Sequence, residues 1–216
     1  MICDEPRFAF VHIPKSAGTS IYSGLFKACQ NDGRVLLSFD NFHATVDDII
    51  PFRGRYWLET ATVFSTIRNP WARAYSIWKF RLEKSERLVR VIDKGLVPRT
   101  EMTRTELEET AENMRTLGFN HWLRSDDTDV DTFGVPLVQK SQLSWLRTED
   151  GASLATKVIK VEDMDMGFLG RFGINEVKVL NASPSEHHYR DVFDTESRKF
   201  IEKYFEEDIE FGQYCF

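Results

Sequence analysis

The chain of 216 residues lacks any run of the roughly 18 to 20 uncharged apolar residues that a membrane-crossing helix needs, and Met1 to Arg7 shows neither a basic stretch nor the apolar centre of a leader. No membrane span is expected. A cytoplasmic location is the corresponding expectation, unless the chain is a piece of a longer anchored protein. Cysteine is scarce as well: Cys3, Cys29 and Cys215 are odd in number, widely spaced and without a CxxC pair or a neighbouring histidine. That pattern excludes a disulfide scaffold and points to a reducing compartment and to no metal. Gly/Ser linkers, repeats and low-complexity tracts are missing too, so one domain spanning residues 1–216 is expected. Excess positive charge is absent: 28 Lys and Arg against 34 Asp and Glu leave a net charge of −6. This argues against a nucleic-acid partner held by phosphate neutralisation.

What is present is apolar and aromatic. Hydrophobic residues make up 42% of the chain, including 17 Phe and 5 Trp, enough for the sizeable core that a domain of this length can bury. The charge is unevenly spread. Arg68 to Arg104 carries ten basic against four acidic residues, whereas Asp191 to Glu210 carries eight acidic against three basic. An acidic chain with one basic stretch suggests a local anion site.

Two strand–loop–helix units stand out. Arg7 to Ile13 is short and apolar on both faces, as in a strand buried in a parallel sheet, and Pro14 stops it. Ile21, Leu25, Phe26 and Cys29 then fall at helical spacing, with Ser or Thr available as the N-cap. The second unit runs from the β-rich Ala61–Ile67 through Arg68 into a helix with Asn69 suited to the N-cap and Pro70 to the first position. Trp71, Tyr75, Trp78 and Leu82 give that helix an aromatic face, read first as core. Between the units, Thr45 and Asp48 have capping-box spacing, placing His43 just before a short helix. Thr105 and Glu108 are expected to open a helix reaching Arg124. Lys157–Val161 reads as a strand, Thr195–Phe205 as an amphipathic helix, and the basic, poorly periodic Ser85–Thr105 as a loop flanking an anionic acceptor or a solvated face. The fold class expected is α/β, a central parallel sheet flanked by helices.

His12 to Ser20 lies between a strand and a helix. Such a loop presents backbone N–H groups and a positive helix end; Lys15 adds charge, Gly18 permits close approach, and Thr19 and Ser20 bring hydroxyls. These are the parts of a phosphate cradle, with a plain turn as the bland alternative. The Walker A order fails, because Lys15 precedes the only glycine. In the second unit, Arg68 ends a strand and Ser76 lies two turns into the helix, a pair suited to a phosphate or equally to a surface Arg and a packing Ser.

Together these segments resemble sulfotransferases that use 3′-phosphoadenosine 5′-phosphosulfate (PAPS), in particular the carbohydrate type of family 2, close to the heparan 2-O and 6-O enzymes. Members of that type often read His-Ile-Pro-Lys-Thr-Ala-Gly-Thr-Ser, against which Ser16 replaces a Thr. The likeness continues through Phe42–Thr45, Val158–Asp163, Leu180–Ser183 and Tyr204–Gly212. It implies a P-loop-like fold and PAPS as sulfuryl donor, with a carbohydrate or other hydroxyl as acceptor and no metal required. Lys15 would contact the leaving oxygen. Ser16, Ala17, Gly18, Thr19 and Ser20 would hold the 5′-phosphate, and Arg68 and Ser76 the 3′-phosphate. His43 is the expected general base, with His12, Glu59, His121, His187 and His188 as competitors. Glu162 and Asp163 read as structural. Two other functions stay open: a nucleotide-kinase-like phosphotransferase, and a non-catalytic nucleotide- or glycan-binding protein.

Overall fold

The computed structural model describes residues 1–39, 43–97, 100, 102–125, 140–177 and 188–216. In chain order the elements among them are β1 (Ile2–Asp4), β2 (Arg7–Val11), α1 (Gly18–Asp32), β3 (Leu36–Leu37), α2 (Val46–Arg53), α3 (Arg55–Thr60), β4 (Thr62–Ile67), α4 (Pro70–Asp93), α5 (Arg104–Arg124), a 3₁₀ turn (Leu143–Leu146), β5 (Lys157–Lys160), α6 (Met166–Gly170), α7 (Tyr189–Val192), α8 (Thr195–Tyr204) and α9 (Glu206–Gly212). They fall into two compact units: residues 1–69, 141–182 and 207–215 form the first, and 70–140, 183–206 and Phe216 the second.

The first unit contains a sheet in the order β3-β1-β2-β4-β5. Its centre is parallel, with Phe10 of β2 opposite Phe64 of β4, and Ser65 of β4 opposite Val158 of β5. β1 pairs antiparallel with both β2 and β3, so the parallel sheet expected from the sequence carries an antiparallel edge. Phe8, Phe10 and Phe64 are fully buried in a cluster with Ile21, Leu25 and Cys29 of α1, and Phe172 stacks on Phe64 with ring centroids 4.9 Å apart. Each such Phe contributes about 1.5–3 kcal/mol on removal from water. Because the parallel strands run the same way, the carboxyl ends of β2 and β4 lie side by side. One leads into the loop at His12 and the other into Arg68.

In the second unit α4 bears the expected aromatic face as packing. Tyr75 stacks on Trp78 at 5.8 Å, and Phe119 of α5 meets Tyr75, Trp78 and Phe193 edge-on. α5 breaks at Gly118, whose φ of 67° suits a residue without a side chain. Its opening corrects the sequence reading: the capping box is Thr103 with Glu106, two residues before Thr105 and Glu108. Of the segment Ser85–Thr105, read as a loop or a solvated face, the loop reading is corrected as far as Asp93, whereas the solvated face agrees with its exposed charges. α4 continues to Asp93, and the charges that blurred its periodicity pair along exposed surface, Glu86 with Arg115 at 2.6 Å and Asp93 with Arg104 at 2.9 Å.

Candidate functional site

Residues 14–17 turn tightly after β2. Lys15 and Ala17 have φ of 62° and 60°, the left-handed region, which costs an L-residue about 1–2 kcal/mol. Left-handed residues set into such a turn swing successive N–H groups to one side, the arrangement that receives anions. Ala17 itself occupies the N-cap of α1 and no side chain caps that helix, so the Ser or Thr cap expected from the sequence is not formed. The positive end of α1 is left to the first-turn N–H groups. Lys15 and Ala17 are half-buried, Ser16, Gly18 and Ser20 buried, and Thr19 exposed.

Gly18 is required by proximity. A Cβ there would lie 1.7 Å from Cδ2 of His12. The His12 ring is buried, stacks near Phe10 at 6.2 Å and meets the His43 ring at 4.5 Å. Burial, reinforced by His43, pushes the His12 pKa down to about 3, so its imidazole is neutral across the physiological range. A neutral ring can pack; an imidazolium there would be costly.

His43 is held from three directions. Its Nδ1 lies 3.0 Å from the His12 carbonyl oxygen. A carbonyl only accepts, so Nδ1 carries the proton, and a neutral His43 bears its lone pair on Nε2. Trp145 Nε1 donates to the His43 carbonyl at 3.2 Å. Thr45 and Asp48 form the expected capping box, with Thr45 N donating to Asp48 Oδ2 at 2.7 Å and Asp48 N to Thr45 Oγ1 at 3.2 Å, which fixes the segment just after His43.

Arg68 joins this group from the end of β4: its Nη1 donates to the Lys15 carbonyl at 3.5 Å. Lys15 and Arg68 thus share one place at the carboxyl ends of neighbouring parallel strands, where open α/β sheets commonly bind ligands. Ser76 is on α4, half-buried, in the second unit. Glu59 is exposed and pairs with Arg55 at 3.0 Å, His121 is on the exposed side of α5, and His188 caps α7 by accepting from Arg190 N. His187, Phe42 and the Leu180–Ser183 segment lie outside the described residues. Glu162 accepts from Asn69 N at 2.8 Å and from the Tyr214 hydroxyl at 3.2 Å, a structural use.

Several groups around the loop escaped the sequence reading. Thr66 Oγ1 donates to the Ser16 carbonyl, and Ser16 Oγ donates to Gln142 Oε1 at 2.8 Å. Gln142 and Asp208 are both fully buried. A buried Gln beside a buried Asp is unusual, but no local spacing ties position 142 to position 68.

No curated protein and no solved structure matches the chain. The loop after β2 and the Arg68 segment after β4 fall in a match to the sulfotransferase family that covers residues 1–214, and the chain therefore belongs to that family, whose chemistry is sulfuryl transfer.

Proposed function

We propose that the protein transfers the sulfuryl group of PAPS to a hydroxyl of a carbohydrate, with residues 1–216 acting as one sulfotransferase domain. The observation that carries the donor reading is the meeting of Lys15 and Arg68 beside a helix N-terminus that no side chain caps. Two cationic residues and the N–H groups of a tight turn and helix start make a donor set suited to a bisphosphorylated nucleotide. When bound, PAPS supplies a sulfuryl group on a phosphate leaving group. Lys15 offsets the charge that develops on the leaving oxygen, the N–H groups of the loop and the Thr19 hydroxyl hold the 5′-phosphate, and Arg68 holds the 3′-phosphate. Ser76 is assigned to the same phosphate on the motif alone. His43 takes the proton of the attacking hydroxyl on Nε2, the nitrogen that its bond to His12 leaves with a lone pair. His12 is thereby the orienting partner of the base, and its neutrality keeps a second positive charge from opposing that protonation. The carbohydrate acceptor is supported by the likeness of His12–Ser20 to the carbohydrate-type loop.

Calorimetry tests the donor assignment. Arg68→Ala should weaken binding of adenosine 3′,5′-bisphosphate by about 1.5–3 kcal/mol, the worth of a charge-assisted contact. Binding of adenosine 5′-phosphate should change far less. Equal losses for the two nucleotides would reject the assignment of Arg68 to the 3′-phosphate.

A further inference from the structure

We propose that Gln142 is a positioning residue that ties the Lys15–Gly18 loop to Arg68 and so sets the two halves of a bisphosphate site against each other; the inference rests on the donor reading above. The Gln142 amide makes four hydrogen bonds. Oε1 accepts from Ser16 Oγ at 2.8 Å and from Arg68 N at 2.9 Å, while Nε2 donates to the Arg68 carbonyl at 2.8 Å and to Asp208 Oδ2 at 3.4 Å. That is the full capacity of a primary amide, two lone pairs and two N–H groups. Its orientation is fixed, because the flipped amide would set donor against donor at Arg68 N and acceptor against acceptor at Arg68 O.

Asp208 holds the other end. Its carboxylate accepts from Gln142 N at 2.7 Å, Ser141 Oγ at 2.7 Å and Leu143 N at 3.1 Å in addition to Nε2. Four donors satisfy a buried carboxylate without a cation. Gln142 is thus anchored by α9 at its backbone and reaches both phosphate segments with its side chain. The bond from Ser16 also settles what that hydroxyl does: its proton is used on Gln142, and a phosphate oxygen can only accept. Ser16 therefore serves the loop as its anchor rather than as a phosphate ligand through Oγ.

A ligand with one phosphate needs one half of the site in place. A ligand with two needs both at a fixed separation, and a tether between the halves removes the cost of arranging them. The readout is therefore the factor by which adenosine 3′,5′-bisphosphate outbinds the better of adenosine 5′-phosphate and adenosine 3′-phosphate, measured by calorimetry. Gln142→Asn, one methylene shorter, should shrink that factor by about tenfold, and Ser16→Ala, which cuts only the loop side, by about threefold. A purely structural role would lower the melting temperature, or all three affinities in parallel, and leave the factor unchanged; that result overturns the inference. Should Gln142→Asn fail to fold, Ser16→Ala decides alone by the same criterion. If the wild-type protein binds none of the three nucleotides, the donor reading falls together with the inference, whereas binding with an unchanged factor in the variants removes the inference only.

Discussion

Lys15 separates binding from chemistry more sharply than any other side chain of the site. A charge that stabilises the leaving oxygen acts in the transition state, so Lys15→Ala should lower kcat by roughly 10²–10³-fold while changing affinity for adenosine 3′,5′-bisphosphate much less. A variant with kcat retained at saturation and only weaker binding would move Lys15 out of the chemical step. His43 carries a different signature. His43→Ala should cost roughly 10²–10⁴-fold in kcat with nucleotide affinity nearly intact, and wild-type turnover should fall on acidification as Nε2 takes up a proton. The neighbouring His12 does not contribute to that fall above its own pKa of about 3. Near-wild-type turnover of His43→Ala with acceptor at saturation would return the search for the base to the carboxylates. Lys15, Gly18, His43 and Arg68 can be singled out in the sequence as candidates because each sits in a short contiguous pattern. Gln142 is not, since the bonds that define it join positions 68, 142 and 208.

At the scale of elements, the site depends on a close approach between the start of α1 and the end of β2. Gly18 of α1 lies against the His12 ring, and the ring also meets Phe10 and His43. Gly18→Ala should therefore overpack a buried, flat side chain at about 1–3 kcal/mol. For a chain of this size that is a fall in melting temperature of about 2–12 °C. Turnover should fall with it, because displacing His12 removes the carbonyl that orients His43. An unchanged melting temperature for Gly18→Ala would show that the ring moves aside at no cost. The strand–loop–helix units are readable because their strands are buried on both faces and their helices carry an apolar stripe. β1 and β3 are not, since two or three residues leave no period to detect. The second half of α4 is misread for the opposite reason: Glu86 and Asp93 belong to exposed ion pairs with α5, weak because solvent screens them, and such charges mask a continuous helix.

For the whole molecule, the uneven charge carries less than it suggests. Among the described residues, most of the basic stretch after Arg68 lies along α4 and at the start of α5, and Arg68 is the member that bonds to the Lys15 loop. In the acidic stretch Asp194 caps α8 and Asp208 holds Gln142. Charge patterning therefore bears on the proposed anion site through Arg68, which also follows a parallel strand. The fold class follows from alternation of buried strands and amphipathic helices, and the family from two short segments about fifty residues apart; neither specifies the acceptor. The most direct measurement is transfer of labelled sulfate from PAPS to a panel of glycans and simple alcohols by the wild-type chain. Label should appear on a carbohydrate hydroxyl, with adenosine 3′,5′-bisphosphate released in equal amount. Tight binding of that nucleotide with no label on any hydroxyl would contradict the account and leave a protein that binds the nucleotide without turning it over.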